Sequence, residues 1–280
     1  MVLSKNRIAW SSLNAVVDGF RKGEPNMNLS FDRILNRHKE DQETQKNGVM
    51  LVTFAEPKHV VSEQFRTVRT NIEFAGAALD TCQVIMFTSS AMSEGKSTVS
   101  ANVAVTWAQA GKKVLLIDAD LRRPTVHATF RTLNVDGVTT VLTGKEKADD
   151  VVEETFVNNL SIITSGPVPP NPSELLNSKR MASLVDWARE KYDIIVLDAP
   201  PVLAVSDVQV LVPKTDGVVV VANMGKTLKG DLRRTVEVLK LAKAKILGSV
   251  ERVKAKRGDR GYGYGYGYGY TSDSGRTSGI

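Results

Sequence analysis

The stretch FTSSAMSEGKSTVSANVAVTWAQAG, Phe87 to Gly111, limits what this chain can fold into more than any other feature. An apolar run ends near Ser89, a loop of small residues follows, and GKST opens a long amphipathic helix predicted over 96–110. Strand, loop and helix in that order make a phosphate-binding P-loop, because the first N–H groups of a helix lack partners within it and the helix dipole favours an anion there. Backbone around Ser93, Glu94, Gly95, Lys96, Ser97 and Thr98 would wrap the β-phosphate. Lys96 would reach the β- and γ-phosphates, and the Ser97 hydroxyl would ligate Mg²⁺. The loop departs from the strict G-x-x-x-x-G-K-[ST] form: Ser90 stands at its first position and Gly95 is its only glycine.

Two acidic stretches join it. VLLIDADLRRP, Val114 to Pro124, puts Asp118 and Asp120 at the C-terminal end of a buried strand, the end that faces the ligand crevice in a parallel sheet. Strand alternation sends the two carboxylates to opposite faces, so either the turn brings both to the site or they have different roles. YDIIVLDAPP, Tyr192 to Pro201, ends an apolar strand at Asp198, placed as a Walker B carboxylate holds Mg²⁺ directly or through water.

Around these motifs, apolar runs at 83–89, 113–120, 160–164, 193–200, 216–223 and 245–250 read as strands. Helices are predicted at 61–78, about 146–156, 173–191, about 205–212 and 228–244. Strands that are apolar throughout and alternate with helices imply a mostly parallel sheet covered on both faces, an α/β fold. The expected organisation is a polar, loosely ordered extension over 1–50, a P-loop domain over 51–253 and a flexible basic, Gly-Tyr-rich tail over 254–280. No run approaches the roughly 18 apolar residues of a membrane span. Cys82 is the only cysteine, so an intrachain disulfide is excluded and a cytoplasmic setting is expected. The net charge of +6 gathers between Lys229 and Arg260, where nucleic acid, an anionic membrane surface or solvent would each suit it.

The sequence resembles the bacterial tyrosine kinases of capsule and exopolysaccharide operons, P-loop enzymes of the MinD/ParA-like group. SEGKST, LLIDADLRRP, IIVLDAPP, GPVPPNPSELL (166–176) and the tyrosine cluster carry the resemblance. It implies ATP and Mg²⁺ as cofactors, with Ser97, Asp118 and Asp198 at the metal and Lys96 with Asp118 or Asp120 in catalysis. It also implies that Glu63, Arg66 and Arg69, spaced along one helical face, join subunits into a ring. A membrane adaptor that activates the kinase and a cognate phosphotyrosine phosphatase are the implied partners, with recruitment to the inner face of the membrane and no nucleic acid. Departures are Ala91 where MinD-like ATPases usually carry a lysine, Met92 and Ser93 where the family often has a proline and a second glycine, and no asparagine near 251–252 for adenine recognition.

GYGYGYGYGY at 261–270 holds five of the six tyrosines, at 262, 264, 266, 268 and 270. Glycine between phenols prevents helix or sheet from hiding them, so they are the expected phosphate acceptors, reached in trans. A MinD-like positioning ATPase and a nucleotide-dependent scaffold are the competing readings; in the scaffold the tail would assemble by stacking.

Overall fold

The computed structural model describes residues 6–11 and 43–254, built on an eight-stranded sheet. The strands are β1 (Asn6–Ser11), β2 (Val84–Ser89), β3 (Val114–Asp118), β4 (Glu153–Glu154), β5 (Leu160–Ile163), β6 (Ile194–Asp198), β7 (Gly217–Asn223) and β8 (Ile246–Lys254). Their order is β1-β8-β7-β2-β6-β3-β5-β4, parallel from β8 to β5 and antiparallel at the two edges. The predicted α/β architecture is therefore present.

Alternation along each strand sorts its side chains onto two cores. Met86, Leu115, Leu197 and Val220 face α3 (Lys179–Lys191) and α4 (Lys229–Leu241), whose Met181, Leu184, Leu232 and Leu239 complete that layer. Ile85, Phe87, Leu116, Val196 and Val219 face α1 (Val60–Gly76) and α2 (Lys96–Gln109), meeting Phe65, Ile72, Val103 and Trp107. Each such side chain, fully buried, contributes about 1.5–3 kcal/mol.

Four elements differ from the sequence reading. Helix α2 is not amphipathic: eleven of its fourteen residues are buried, because the sheet lies on one side and α1 with the short helix Val52–Ala55 on the other. Its polar residues are satisfied inside the protein: Asn102 donates to the carbonyls of Met50 and Thr98 and accepts from Thr53, and Thr106 donates to Val103. The helix expected at about 146–156 is a single 3-10 turn, Ala148–Asp150, followed by β4; the β-branched run Val151, Val152 and Thr155 suits an edge strand better. The predicted 173–191 helix is broken at Ser178, which leaves the first helix extended and caps α3 by accepting from Met181 N–H. Short helices Val126–Phe130 and Val138–Thr143 were not foreseen.

Part of the segment expected to be loosely ordered belongs to this architecture. β1 pairs with β8 from Asn6↔Lys254 to Ser11↔Ser249, Ile8 is buried, and its N–H donates to Gln64 Oε1 on α1 (2.9 Å). Residues 43–55 lie along α2 and reach the C-terminal edge of the sheet. The tail tyrosines at 262–270 lie outside the described residues.

Candidate nucleotide site

At the C-terminal ends of the parallel strands the chain leaves β2, loops over residues 90–95 and enters α2 at Lys96. Two left-handed residues shape the loop, Gly95 (φ +92°) and Ser93 (φ +59°); for a serine that conformation costs about 1 kcal/mol. A side chain at 95 would overlap the Arg252 guanidinium, whose Nη1 donates to the Glu94 carbonyl (3.2 Å). The left-handed φ is what calls for glycine there, since the arginine side chain could shift aside.

Glu94 is the residue whose role the sequence reading missed. A carboxylate in an anion-binding loop must turn away from the anion, and this one is buried beneath it. Its Oε2 accepts from Ser90 N–H (2.9 Å) and Ala91 N–H (3.1 Å), and its Oε1 accepts from the Thr227 hydroxyl (2.7 Å). Thr227 in turn accepts from Asn223 N–H (2.8 Å), so the phosphate loop is tied to the turn between β7 and α4. Hydrogen bonds to a charged group contribute about 1.5–3 kcal/mol each. The excess of negative charge such a residue brings to the loop was the available signal.

Lys96 lies between carboxylates: its Nζ is 3.0 Å from Asp120 Oδ2, 3.5 Å from Asp198 Oδ2, and donates to Ser97 Oγ (3.2 Å). Burial works against its charge, but Asp120, Asp198 and Asp118 outweigh it and hold the ammonium above its ordinary value. The two aspartates of DAD have different surroundings, although both carboxylates act on Lys96. Asp118 is buried, with Oδ2 accepting from Thr125 N–H (2.9 Å) and Val126 N–H (3.0 Å) and Oδ1 accepting from Asp120 N–H (3.3 Å). Asp120 lines the cleft and accepts from Arg123 N–H (3.1 Å). Asp118 also pairs in register with Asp198 across β3 and β6. Burial first, and then the Asp198 charge, push Asp118 up to about 7; burial likewise raises Asp198, with Lys96 opposing.

One oxygen in this group lacks a partner: Asp198 Oδ1 is buried without a hydrogen bond. Together with the adjacent Ser97 hydroxyl it forms a donor set of oxygens that suits Mg²⁺, an ion held by one or two protein groups plus phosphate and water. Among the described residues no cluster of three or more His, Cys, Asp or Glu side chains is placed to cage a metal. Asp118, also expected at the metal, lies in register beside Asp198 and accepts backbone N–H groups on both oxygens, each of which keeps a lone pair.

The DADLRRP and GPVPPNPSELL motifs meet at one point. Arg122 grips Asp207 with Nε (2.9 Å) and Nη2 (3.1 Å), and Ser173, opening the helix Pro172–Asn177, donates to the same carboxylate. That clamp fixes an arginine at the rim of a cleft of about 500 Å³. Strand order divides the cleft. β6 and β3, bearing the carboxylates, lie on one side of β2; β7 and β8, bearing Asn223 and Arg252, lie on the other.

Glu63, Arg66 and Arg69 lie on successive turns of α1, spread over about 120° of its circumference. Arg66 pairs with Glu63 (2.5 Å) at the surface and donates to Pro57 O, whereas Arg69 donates to Thr106 O (2.8 Å) on α2. Among the described residues no helix is long and apolar enough to cross a membrane.

A family profile described as "AAA domain" matches residues 82–248. Tyrosine-protein kinase YwqD of Bacillus subtilis (strain 168) is 46% identical over 214 residues, 76% of this chain and 90% of that protein. The solved kinase domain of the Escherichia coli tyrosine kinase ETK is 35% identical with a TM-score of 0.71, covering 78% of this chain and 85% of that one. The septum site-determining protein MinD of Pyrococcus horikoshii, solved with Mg-ADP, shares the fold at 25% identity and a TM-score of 0.53, over 60% of this chain and 69% of that one.

Proposed function

The chain belongs to the bacterial tyrosine-protein kinases, and from that premise we propose that its cleft transfers the γ-phosphoryl group of Mg·ATP to Tyr262, Tyr264, Tyr266, Tyr268 and Tyr270 of a second copy. The observation that carries this reading is the gathering of Lys96, Asp120 and the unpartnered Asp198 oxygen around one helix N-terminus. The phenol oxygen attacks the γ-phosphorus, the bond to the β–γ bridging oxygen breaks, and ADP leaves. The phenolic proton passes to Asp120, which lines the cleft where Asp118 does not. Asp120 is paired with Lys96, and bound phosphates would draw the ammonium onto themselves and release the carboxylate to act as base. Ser97 and Asp198, with Asp118 beside them, would hold Mg²⁺, which would supply charge neutralisation on the phosphates. Lys96 adds the same on the protein's side, from a position fixed by burial.

ATP rather than GTP, control of exopolysaccharide or capsule synthesis and export, and a ring joined through the Glu63–Arg69 face complete the proposal. So do recruitment to the inner face of the membrane by an adaptor and reversal by a phosphotyrosine phosphatase. Five phosphates would add roughly −7.5 to −10 of charge beside a basic stretch, enough to invert its sign and loosen a ring.

The test is intact mass after incubation with Mg·ATP, with Lys96→Met as control. The expected result is successive additions of one phosphate mass, mapped to residues 262–270 and absent from the variant. A parent chain that binds Mg·ADP and gains no phosphate, even with the adaptor's cytoplasmic segment present, contradicts it.

A further inference from the structure

Asp207 is a buried carboxylate that the phosphoryl transfer leaves without a duty. It opens the short helix Asp207–Leu211 and is wholly shielded from solvent. A carboxylate so placed needs partners for its oxygens, and both oxygens are taken. Oδ2 accepts from Arg122 Nε (2.9 Å), and Oδ1 accepts from Arg122 Nη2 (3.1 Å) and from the Ser173 hydroxyl. Ser173 Oγ also accepts from Arg122 Nη2 (3.3 Å). One edge of the guanidinium is therefore used up in a bidentate fork. The other edge, at Nη1, makes no hydrogen bond among the described residues, and the Arg122 side chain keeps 40% of its surface exposed.

Arg122 lines the nucleotide cleft together with Asp120, two residues upstream, and the Asp120 charge acts on it. An arginine on an open surface gives up rotamer freedom when it binds an anion. This one has given it up already, held from below by Asp207 and from the side by Ser173 of the helix Pro172–Asn177. A guanidinium fixed in this way presents planar N–H donors, the geometry that suits the oxygens of a phosphate.

We propose that Arg122, positioned by Asp207 and Ser173, is a phosphotyrosine subsite: it binds the phosphate already placed on one tail tyrosine while the tyrosine two residues away meets Asp120. The inference rests on the kinase reading for the acceptor and goes beyond it by linking one modification to the next. In an extended peptide, residues i and i+2 project to the same side about 6.8 Å apart. Tyr262, Tyr264, Tyr266, Tyr268 and Tyr270 recur at that interval. Asp120 and Arg122 are also two residues apart in the chain, so their Cα atoms are separated by at most about 7 Å. The spacing of the substrate and the spacing of the two protein groups are of one size. A phosphate ester offers several charged oxygens to the exposed N–H edge, whereas an unmodified phenol offers one neutral hydroxyl. The first phosphate on a tail therefore strengthens the binding of that tail for the next transfer.

The test uses the full chain with its five tail tyrosines changed to serine, loaded with Mg·ADP, and two synthetic peptides. One is GYGYGYGYGY, and the other is the same peptide with phosphate on its middle tyrosine. Binding is measured by calorimetry for this parent, for Arg122→Gln, which removes the fork, and for Arg122→Lys, which keeps the charge alone. The parent is expected to bind the phosphopeptide about tenfold tighter than the plain peptide. Arg122→Gln is expected to bind the two alike and Arg122→Lys to keep less than about a third of the preference, with Mg·ADP affinity held within about twofold throughout. Equal binding of both peptides by the parent, or a full preference in either variant, overturns the subsite. Displacement of the phosphopeptide by an equal concentration of inorganic phosphate overturns it as well, by making the site one for free phosphate. So does a parallel loss of Mg·ADP affinity in Arg122→Gln, which would assign the arginine to the nucleotide. These measurements need no turnover, so failure of the kinase reading shows separately, as a phosphopeptide preference without phosphate transfer from Mg·ATP.

Discussion

Glu94 shows how a single side chain can set a binding loop. Its carboxylate gathers two loop amides and the Thr227 hydroxyl, so replacing it leaves two buried polar groups and the partly buried Ala91 N–H without this acceptor. Glu94→Ala is expected to lower Mg·ADP affinity by at least tenfold, measured by calorimetry, and to cost about 2–4 kcal/mol of stability in urea. Unchanged affinity would mean the loop holds its shape without the brace. At this scale the sequence was legible where spacing along one element defines the chemistry. SEGKST, DAD and IIVLDAP each lie on a strand end or helix start, and the structure brings Lys96, Ser97, Asp120 and Asp198 together. The division between Asp118 and Asp120 was legible only as a parity constraint. Glu94 was not, because one of its partners lies 133 residues away.

At the scale of elements, β2, β7 and α3 are locked together at the N-terminal end of the sheet by one ion pair. Arg189 of α3 holds Asp216 with both terminal nitrogens (2.8 and 2.7 Å), and Asp216 accepts from Gln83 N–H and Val84 N–H. Burial works to raise this carboxyl, yet Arg189 and the two amides outweigh it and hold Asp216 below its ordinary value of 3.8. A depressed carboxyl stabilises the fold above the unfolded-state value, and that contribution disappears as pH falls through the folded-state value. Asp216→Asn is therefore expected to cost about 1–3 kcal/mol at pH 7 and less near pH 3.5, read from urea midpoints. An equal cost at both would assign the effect to packing. Element type was read correctly where apolar runs are long. It failed at 146–156, where a charged stretch with β-branched residues gave a helical pattern that the sheet edge overrode, and at α2, where tertiary neighbours cover the side expected to face solvent.

On the scale of the whole molecule, the order of strands sets the layout of the cleft. The acids that follow β3 and end β6 lie on one flank of the phosphate loop, and Asn223 of β7 and Arg252 of β8 lie on the other. The parallel sheet was legible because strands covered on both faces are apolar throughout. The contribution of residues 6–11 and 43–49 was not, since edge strands and cleft linings carry too few apolar residues to mark themselves against a polar background. The central claim is transfer of phosphate from this cleft to the tail of another copy. It is tested most directly by mixing two full-length chains with Mg·ATP: one carrying Lys96→Met with its tyrosines intact, the other active with all five tail tyrosines changed to serine. Phosphate is expected on Tyr262, Tyr264, Tyr266, Tyr268 and Tyr270 of the Lys96→Met chain, at a rate that rises with the concentration of its partner. A tail that stays unmodified in the mixture, while the unaltered chain alone phosphorylates itself, would contradict transfer between copies.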